Sequence, residues 1–237
     1  MALNGKRVVV IGGASGIGFA VAEMARNRGA EVVIASSQPA NVEAAVARLA
    51  TGASGAPVDV NDEAAVAGFF ERLGSFDHLA YTAGDWGGSM FMSARNLDVS
   101  EAERGLGVRF WGALRAIKHA CPSIASDGSI TLTGGLLAHR PMKGAAVTTA
   151  FAGAIEHLVA GLAVDLSPVR VNAVAPGMIL TERSKGMPEP MVRAFTDRLP
   201  LPRGGEPAEA AEAYLYLMQA GYTTGQVLMV DGGGTVV

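Results

Sequence analysis

Short, densely apolar segments alternate with longer stretches in which apolar residues recur every three or four positions, and this rhythm occupies most of the chain. Val8-Val9-Val10-Ile11 reads as a buried strand, followed by glycine-rich residues and a helix from about Ile17 to Arg28. Val32-Val33-Ile34 within Glu31–Ala35 forms a second strand, and Asn41–Ala50 a helix. Pro57-Val58-Asp59-Val60 ends a third strand, ahead of a helix over Glu63–Leu73; His78–Tyr81 and Ser129–Thr133 supply the fourth and fifth. Between those two, Ser100 and Glu103 have the spacing of a capping box and open a helix that reaches about Ala120. Val147, Phe151, Ile155, Leu158 and Leu162 share one face of a helix over about 145–165, and Arg170–Ala175 and Val227–Val230 complete seven strands.

Strands written as unbroken apolar runs are buried on both faces, and parallel strands need crossover helices between them. The pattern therefore predicts an α/β fold: a single doubly wound, Rossmann-type domain over 1–237, with a seven-stranded parallel sheet and helices on both faces. The rhythm breaks over 182–206, which holds four prolines, Met187 and Met191, and this stretch reads as a substrate lid or binding segment.

Composition narrows the class. With 49% hydrophobic and 17% charged residues the chain is too apolar for disorder, and no apolar run approaches the roughly 20 residues that span a bilayer. Nineteen basic and 22 acidic residues leave a formal charge of −3, which argues against nucleic acid or an anionic membrane as a main partner; the expected partner is a small-molecule substrate. No secretory leader is apparent at the N-terminus, so a cytoplasmic protein is expected. Cys121 stands alone and reads as a small buried hydrophobe. No metal is expected.

The chemistry begins after the first strand, at Gly12-Gly13-Ala14-Ser15-Gly16-Ile17-Gly18. Glycines are required where backbone approaches a pyrophosphate and where a helix packs closely on a strand. The following helix N-terminus offers free N–H groups and a positive dipole end to the phosphates. The spacing is G-x-x-x-G-x-G, and further motifs follow in order: Tyr81-Thr82-Ala83-Gly84 after strand four, Arg170-Val171-Asn172-Ala173-Val174-Ala175-Pro176-Gly177, then Ile179 and Thr181, and Val230-Asp231-Gly232-Gly233. Together they resemble the short-chain dehydrogenase/reductase family over essentially the whole chain.

The resemblance implies a nicotinamide dinucleotide held by Gly12, Ala14, Ser15, Gly16, Ile17 and Gly18, by Asp59 and Val60 at the adenine, by Ala83 and Gly84, and by Pro176, Gly177, Ile179 and Thr181. NAD-preferring members place an acid at the end of strand two to bind the ribose diol. Ser36 and Ser37 stand there instead, so the expected cofactor is NADP(H), with NAD(H) second. The resemblance also implies a homo-oligomer, a dimer through the helices near 100–120 and 145–165 or a tetramer through the C-terminal strand as well.

The family's four catalytic residues, Asn, Ser, Tyr and Lys, are another matter. The matching positions carry Arg109, Gly134 with Thr133 beside it, Thr148 and Ala152, and no Tyr-x-x-x-Lys exists anywhere in the chain. A threonine hydroxyl is too weak an acid to replace a tyrosine near neutral pH. Arg109, Thr133 and Thr148 are the candidate catalytic residues, and Asp85, Trp86, His139 and Met187 the candidate substrate pocket. The expected activity is an NADP(H)-dependent reductase with a non-standard site, acting on an iminium, imine or activated carbonyl. The alternatives are a catalytically inactive dinucleotide sensor or scaffold, and a non-redox enzyme reusing the pocket.

Overall fold

The computed structural model describes residues 3–84 and 92–237. Its first half contains β1 (Arg7–Ile11), α1 (Gly16–Asn27), β2 (Glu31–Ser36), α2 (Pro39–Leu49), β3 (Ala53–Pro57), α3 (Glu63–Leu73) and β4 (Phe76–Tyr81). There follow α4 (Val99–Leu106), α5 (Gly112–Ala120), β5 (Ile124–Thr133), α6 (Ala146–Asp165), β6 (Arg170–Pro176), α7 (Glu182–Lys185), α8 (Glu189–Thr196), α9 (Pro207–Gln219) and β7 (Val227–Val230). The strands form one parallel sheet in the order β3-β2-β1-β4-β5-β6-β7. The chain winds outward from β1 to β3 and then restarts at β4 on the other side. That reversal opens a crevice at the carboxyl ends of β1 and β4, the place where open α/β sheets bind ligands.

Strand β1 shows why its run carries no polar alternation. Val8 and Val10 face a layer containing Phe19 and Val21 of α1 and Tyr214 and Leu217 of α9. Val9 and Ile11 face the opposite layer, with Phe69 and Phe70 of α3, Ile117 of α5, and Ile155 and Val159 of α6. Both faces are covered, so both sets must be apolar. Each fully buried Val or Ile contributes about 1.5–3 kcal/mol relative to exposure.

Four expectations are corrected. The third strand lies at Ala53–Pro57 and not over Val58–Val60. It is a sheet edge built of small residues, so no apolar run marks it, while Val58 and Val60 bury themselves in the turn that follows. The helix near residue 100 is capped by Asp98, whose carboxylate accepts from Glu101 N at 3.1 Å and from the Ser100 hydroxyl at 2.6 Å. It is not continuous to Ala120 either, because a π-helical turn, Gly107–Trp111, separates α4 from α5. Finally, α6 is a 20-residue helix of mean hydropathy 1.5, long and apolar enough by length and composition to cross a membrane. Its alanines and glycines do not stand out as an apolar run. In this fold it lays Ile155 and Val159 into the core and leaves much of its apolar surface uncovered.

Arg170-Val171-Asn172 has a structural explanation. The buried Arg170 guanidinium donates to Leu217 O (2.6 Å), Met218 O (2.8 Å) and Ala220 O (3.0 Å), satisfying the last carbonyls of α9. Asn172 Nδ2 donates to Thr223 O at 2.9 Å, and its Oδ1 accepts from Gln226 N at 3.0 Å, which delivers β7 beside β6. The 182–206 stretch supplies α7 and α8 and leans on the C-terminal turn, where Leu201 N donates to Gly232 O at 3.0 Å.

Candidate active site

The glycine loop occupies the crevice edge. Gly12 has φ of 88°, and a Cβ there would lie 2.7 Å from Thr82 Oγ1 and 2.8 Å from Ala83 Cα, so only glycine lets the loop meet the end of β4. A Cβ on Gly18 would fall onto Gly12 O, which explains the third glycine as a helix–strand contact. Ala14 and Ile17 pack against the core behind the loop. Ser15 is the N-cap of α1 but makes no side-chain cap, and the first turn carries no acid. The first-turn N–H groups are thus available to an anion. One is engaged by an anion from the chain itself: Gly16 N donates to Glu182 Oε2 of α7 at 3.2 Å.

The other residues expected at the cofactor line the same carboxyl edge. Ser36 is half-buried at the end of β2, with its carbonyl accepting from Val58 N at 2.9 Å, and Ser37 is exposed beside it. Asp59 is exposed and accepts from Asn61 N at 2.9 Å, while Val60 is buried against the α-carbon of Gly112. Ala83 and Gly84 follow β4. Pro176 ends β6, and Gly177 N donates to Val230 O at 3.0 Å. Ile179 is buried, and the Thr181 methyl would be 3.1 Å from a Cβ on Gly16.

Arg109 sits on the π-helical turn, and two features aim it. Tyr81 Oη donates to Val108 O at 2.5 Å and pins the turn to β4. Gly84 then leaves room for the guanidinium, whose Nη2 and Cζ lie 2.7 Å and 3.0 Å from the position a Cβ would occupy. Burial pushes the Tyr81 and Tyr214 phenols up, and the Arg109 charge opposes that shift at both. A guanidinium at the mouth of the crevice can hold a carboxylate or polarise a carbonyl.

Thr133 behaves differently from the expectation. Its hydroxyl donates to Tyr81 O at 2.7 Å and lies 2.6 Å from Tyr214 Oη, so its one proton is committed and the group joins β4, β5 and α9. Its place in the fold is that of a structural hydroxyl. Thr148 is half-buried in the first turn of α6, and Ala152 is buried one turn later. A Cβ on Gly135 would stand 3.8 Å from that of Ala152, and one on Gly134 would stand 3.7 Å from Glu156 Oε1. The junction between the end of β5 and α6 is thus walled by glycine and alanine, with one carboxylate.

That carboxylate is paired. His139 Nε2 lies 3.0 Å from both Oε1 and Oε2 of Glu156. Met187 is half-buried between α7 and α8. Asp85 and Trp86 lie outside the described residues. Sequence reasoning missed Glu156, Glu182 and Tyr214; the available signal for Glu156 was a lone acid in the middle of an otherwise apolar helix. Cys121 is half-buried, and burial pushes its thiol up.

A glycine loop at the switch point of a parallel sheet, with an uncapped helix N-terminus behind it, defines a dinucleotide-binding α/β enzyme class. Residues 12–235 match the family described as Enoyl-(Acyl carrier protein) reductase. A short-chain dehydrogenase/reductase of Acremonium sp, ucsE, is 34% identical over 99% of this chain and 97% of its own. The short-chain dehydrogenase/reductase malC of Malbranchea aurantiaca is 31% identical over 98% and 95%. Among solved structures, a small-chain dehydrogenase in complex with NADPH superposes with a TM-score of 0.85 at 34% identity, covering 98% of this chain and 99% of that one. MalC Reductase/Diels-Alderase from Malbranchea aurantiaca does so with 0.90 at 30%, covering 100% and 97%. The chain belongs to the short-chain dehydrogenase/reductase family and is an oxidoreductase of that type.

Proposed function

We propose that the chain is an NADP(H)-dependent reductase that acts on an electrophilic imine, iminium or activated carbonyl through a site without the family's tyrosine and lysine. The observation that carries this reading is the anion-ready loop beside the Gly84–Arg109 contact. Gly12 and Gly18 let the loop, the end of β4 and α1 approach one another closely, and Gly16 N already donates to an anionic oxygen, that of the Glu182 carboxylate. The residues therefore fit the cofactor, and a solved relative is described in complex with NADPH. When bound, the dinucleotide supplies a hydride to carbon.

The chain's own residues do the rest. The loop N–H groups hold the pyrophosphate, and Ser36 and Ser37 receive the 2′-phosphate without a competing acid. Arg109 supplies fixed positive charge to the substrate's heteroatom or carboxylate. With Ala152 where the lysine would stand, no ammonium lowers a neighbouring hydroxyl, so Thr148 positions substrate and passes no proton. The uncovered apolar surface of α6 supports a homo-oligomer, and light scattering that gives a monomer would refute it.

The test is calorimetric titration of the cofactor-stripped protein with NADPH and NADH. NADPH is expected to bind at least about tenfold tighter, the equivalent of 1.4 kcal/mol, and Ser36→Asp to reverse the order. Binding of neither overturns the reading. A second reading, a non-redox activity in the same pocket, is favoured by the malC relative, whose structure is described as both a reductase and a Diels-Alderase. A screen of imines, ketones and quinones that consumes no NADPH would favour it.

A further inference from the structure

Reduction of a neutral imine or carbonyl adds a hydride to carbon and a proton to nitrogen or oxygen, and none of the described residues has so far been given the role of donating that proton. We propose that His139, held by Glu156, is the catalytic acid, and that the substrate is a neutral imine or activated carbonyl and not a permanently charged iminium. The inference rests on the reductase reading above.

Three observations support it. Glu156 follows Ala152 by one helical turn and Thr148 by two, so all three lie along one side of α6. Its carboxylate reaches the space left by the glycines after β5, 3.7 Å from a Cβ position on Gly134. Second, the imidazole is oriented by both carboxylate oxygens at 3.0 Å, and the Glu156 side chain is only 13% exposed against 44% for His139. A carboxylate on Nε2–H fixes the ring, which leaves Nδ1 as the atom that exchanges a proton. Third, the mount is rigid. Gly134 N donates to Val174 O at 2.8 Å, His139 N to Leu136 O at 2.9 Å, and Arg140 Nη2 to Thr235 O at 2.9 Å. Among the described residues, the ring's ion-pair partner is Glu156, and the neighbouring Arg140 guanidinium is turned away toward the Gly234 and Thr235 carbonyls.

The step balances. The substrate carbon gains two electrons with the hydride, its nitrogen or oxygen takes the proton from Nδ1, and the neutral imidazole is reprotonated by water. Oxidised dinucleotide and a secondary amine or alcohol leave.

The test uses the full-length protein with NADPH and three probes: a cyclic imine, an α-diketone, and the N-methylated iminium of the same imine. Wild-type kcat on the two neutral probes should fall as pH rises. His139→Gln should lower it about 100-fold or more, the usual size of general acid catalysis, and flatten the pH profile. The iminium rate and calorimetric NADPH affinity should stay within about threefold, because neither needs the proton. Glu156→Gln should give an intermediate loss on the neutral probes alone. An unaltered rate and profile in His139→Gln, or an equal loss on the iminium, overturns the proposal while the reductase reading stands. Failure of the wild type to bind NADPH, or to reduce any probe, overturns both.

Discussion

The backbone N–H of Gly16, in the first turn of α1, donates to the Glu182 carboxylate of α7 at 3.2 Å across 166 residues of sequence. This places a negative charge in the proposed pyrophosphate site, and it ties the 182–206 segment to the glycine loop. On the proposed binding mode, cofactor and carboxylate compete for one N–H group and repel each other. Two charges about 4 Å apart in water interact by about 1 kcal/mol. Glu182→Gln should therefore tighten NADPH binding about fivefold at low ionic strength, with a smaller gain at high salt. Calorimetry at two salt concentrations checks this, and an unchanged or weaker affinity would remove Glu182 from the cofactor's path.

Gly18 tests the loop's geometry in the opposite direction. A methyl group there meets Gly12 O and Thr82 Oγ1, and neither the loop backbone nor the end of β4 can retreat easily. Gly18→Ala should cost about 1–3 kcal/mol by overpacking. For a chain of this size that is a fall in Tm of about 3–10 °C. NADPH affinity should drop as well, because the clash pushes the loop carbonyl toward the phosphate site. Thermal unfolding with and without NADPH separates the two effects.

The loop was legible in the sequence because its steric demands can be met by one residue type only. The strands of the core were legible for a related reason: burial on both faces forces an unbroken apolar run, as in Val8–Ile11. β3 was not, since an edge strand of Ala53-Ser54-Gly55-Ala56-Pro57 owes its place to pairing with β2 and not to burial of large side chains. At the site, position 109 was readable as the match to the family's asparagine, but the aim of the guanidinium was not. The π-helical turn that sets it depends on a phenol from β4. The His139–Glu156 pair joins a loop to a helix 17 residues away, and no local pattern records such a meeting.

Arg109 should matter to turnover far more than to cofactor affinity. Its guanidinium lies on Gly84, and in the proposed reaction it faces the heteroatom that develops negative charge. Removing one fixed donor of that kind costs about 100-fold in kcat. Arg109→Leu should show that loss on a ketone or imine, while the NADPH dissociation constant moves by less than about threefold. A steady-state rate equal to wild type would exclude Arg109 from the reaction.

Arg170 carries stability and not chemistry. One buried guanidinium supplies hydrogen bonds to three carbonyls at the end of α9. A lysine cannot span that fork, and Arg170→Lys leaves at least one buried carbonyl without a donor, at about 1–3 kcal/mol. The expected outcome in urea is a lower midpoint with an unchanged slope. Because Arg170 lies at the amino end of β6, away from the crevice, NADPH affinity should be unaffected.

His78 makes the acid sensitivity of the fold predictable. It is 5% exposed on β4, its Nδ1 lies 2.9 Å from Ser129 Oγ on the neighbouring strand, and the two residues are register partners. Burial pushes its pKa from 6.5 down to about 4, so the ring is neutral in the native state. Between those two values the unfolded chain takes up a proton that the native chain refuses. Stability therefore falls as pH drops from about 6.5 and levels off below about 4. At 1.36 kcal/mol per pKa unit the loss is about 3 kcal/mol. Urea unfolding at pH 7 and pH 4.5 should reveal most of it, beyond any loss from carboxylates. The double variant His78→Val with Ser129→Ala removes both the proton site and its hydroxyl partner, and its stability should fall less between the two pH values than that of wild type. Equal losses in the two proteins would mean that His78 is not what makes the native sheet sensitive to acid.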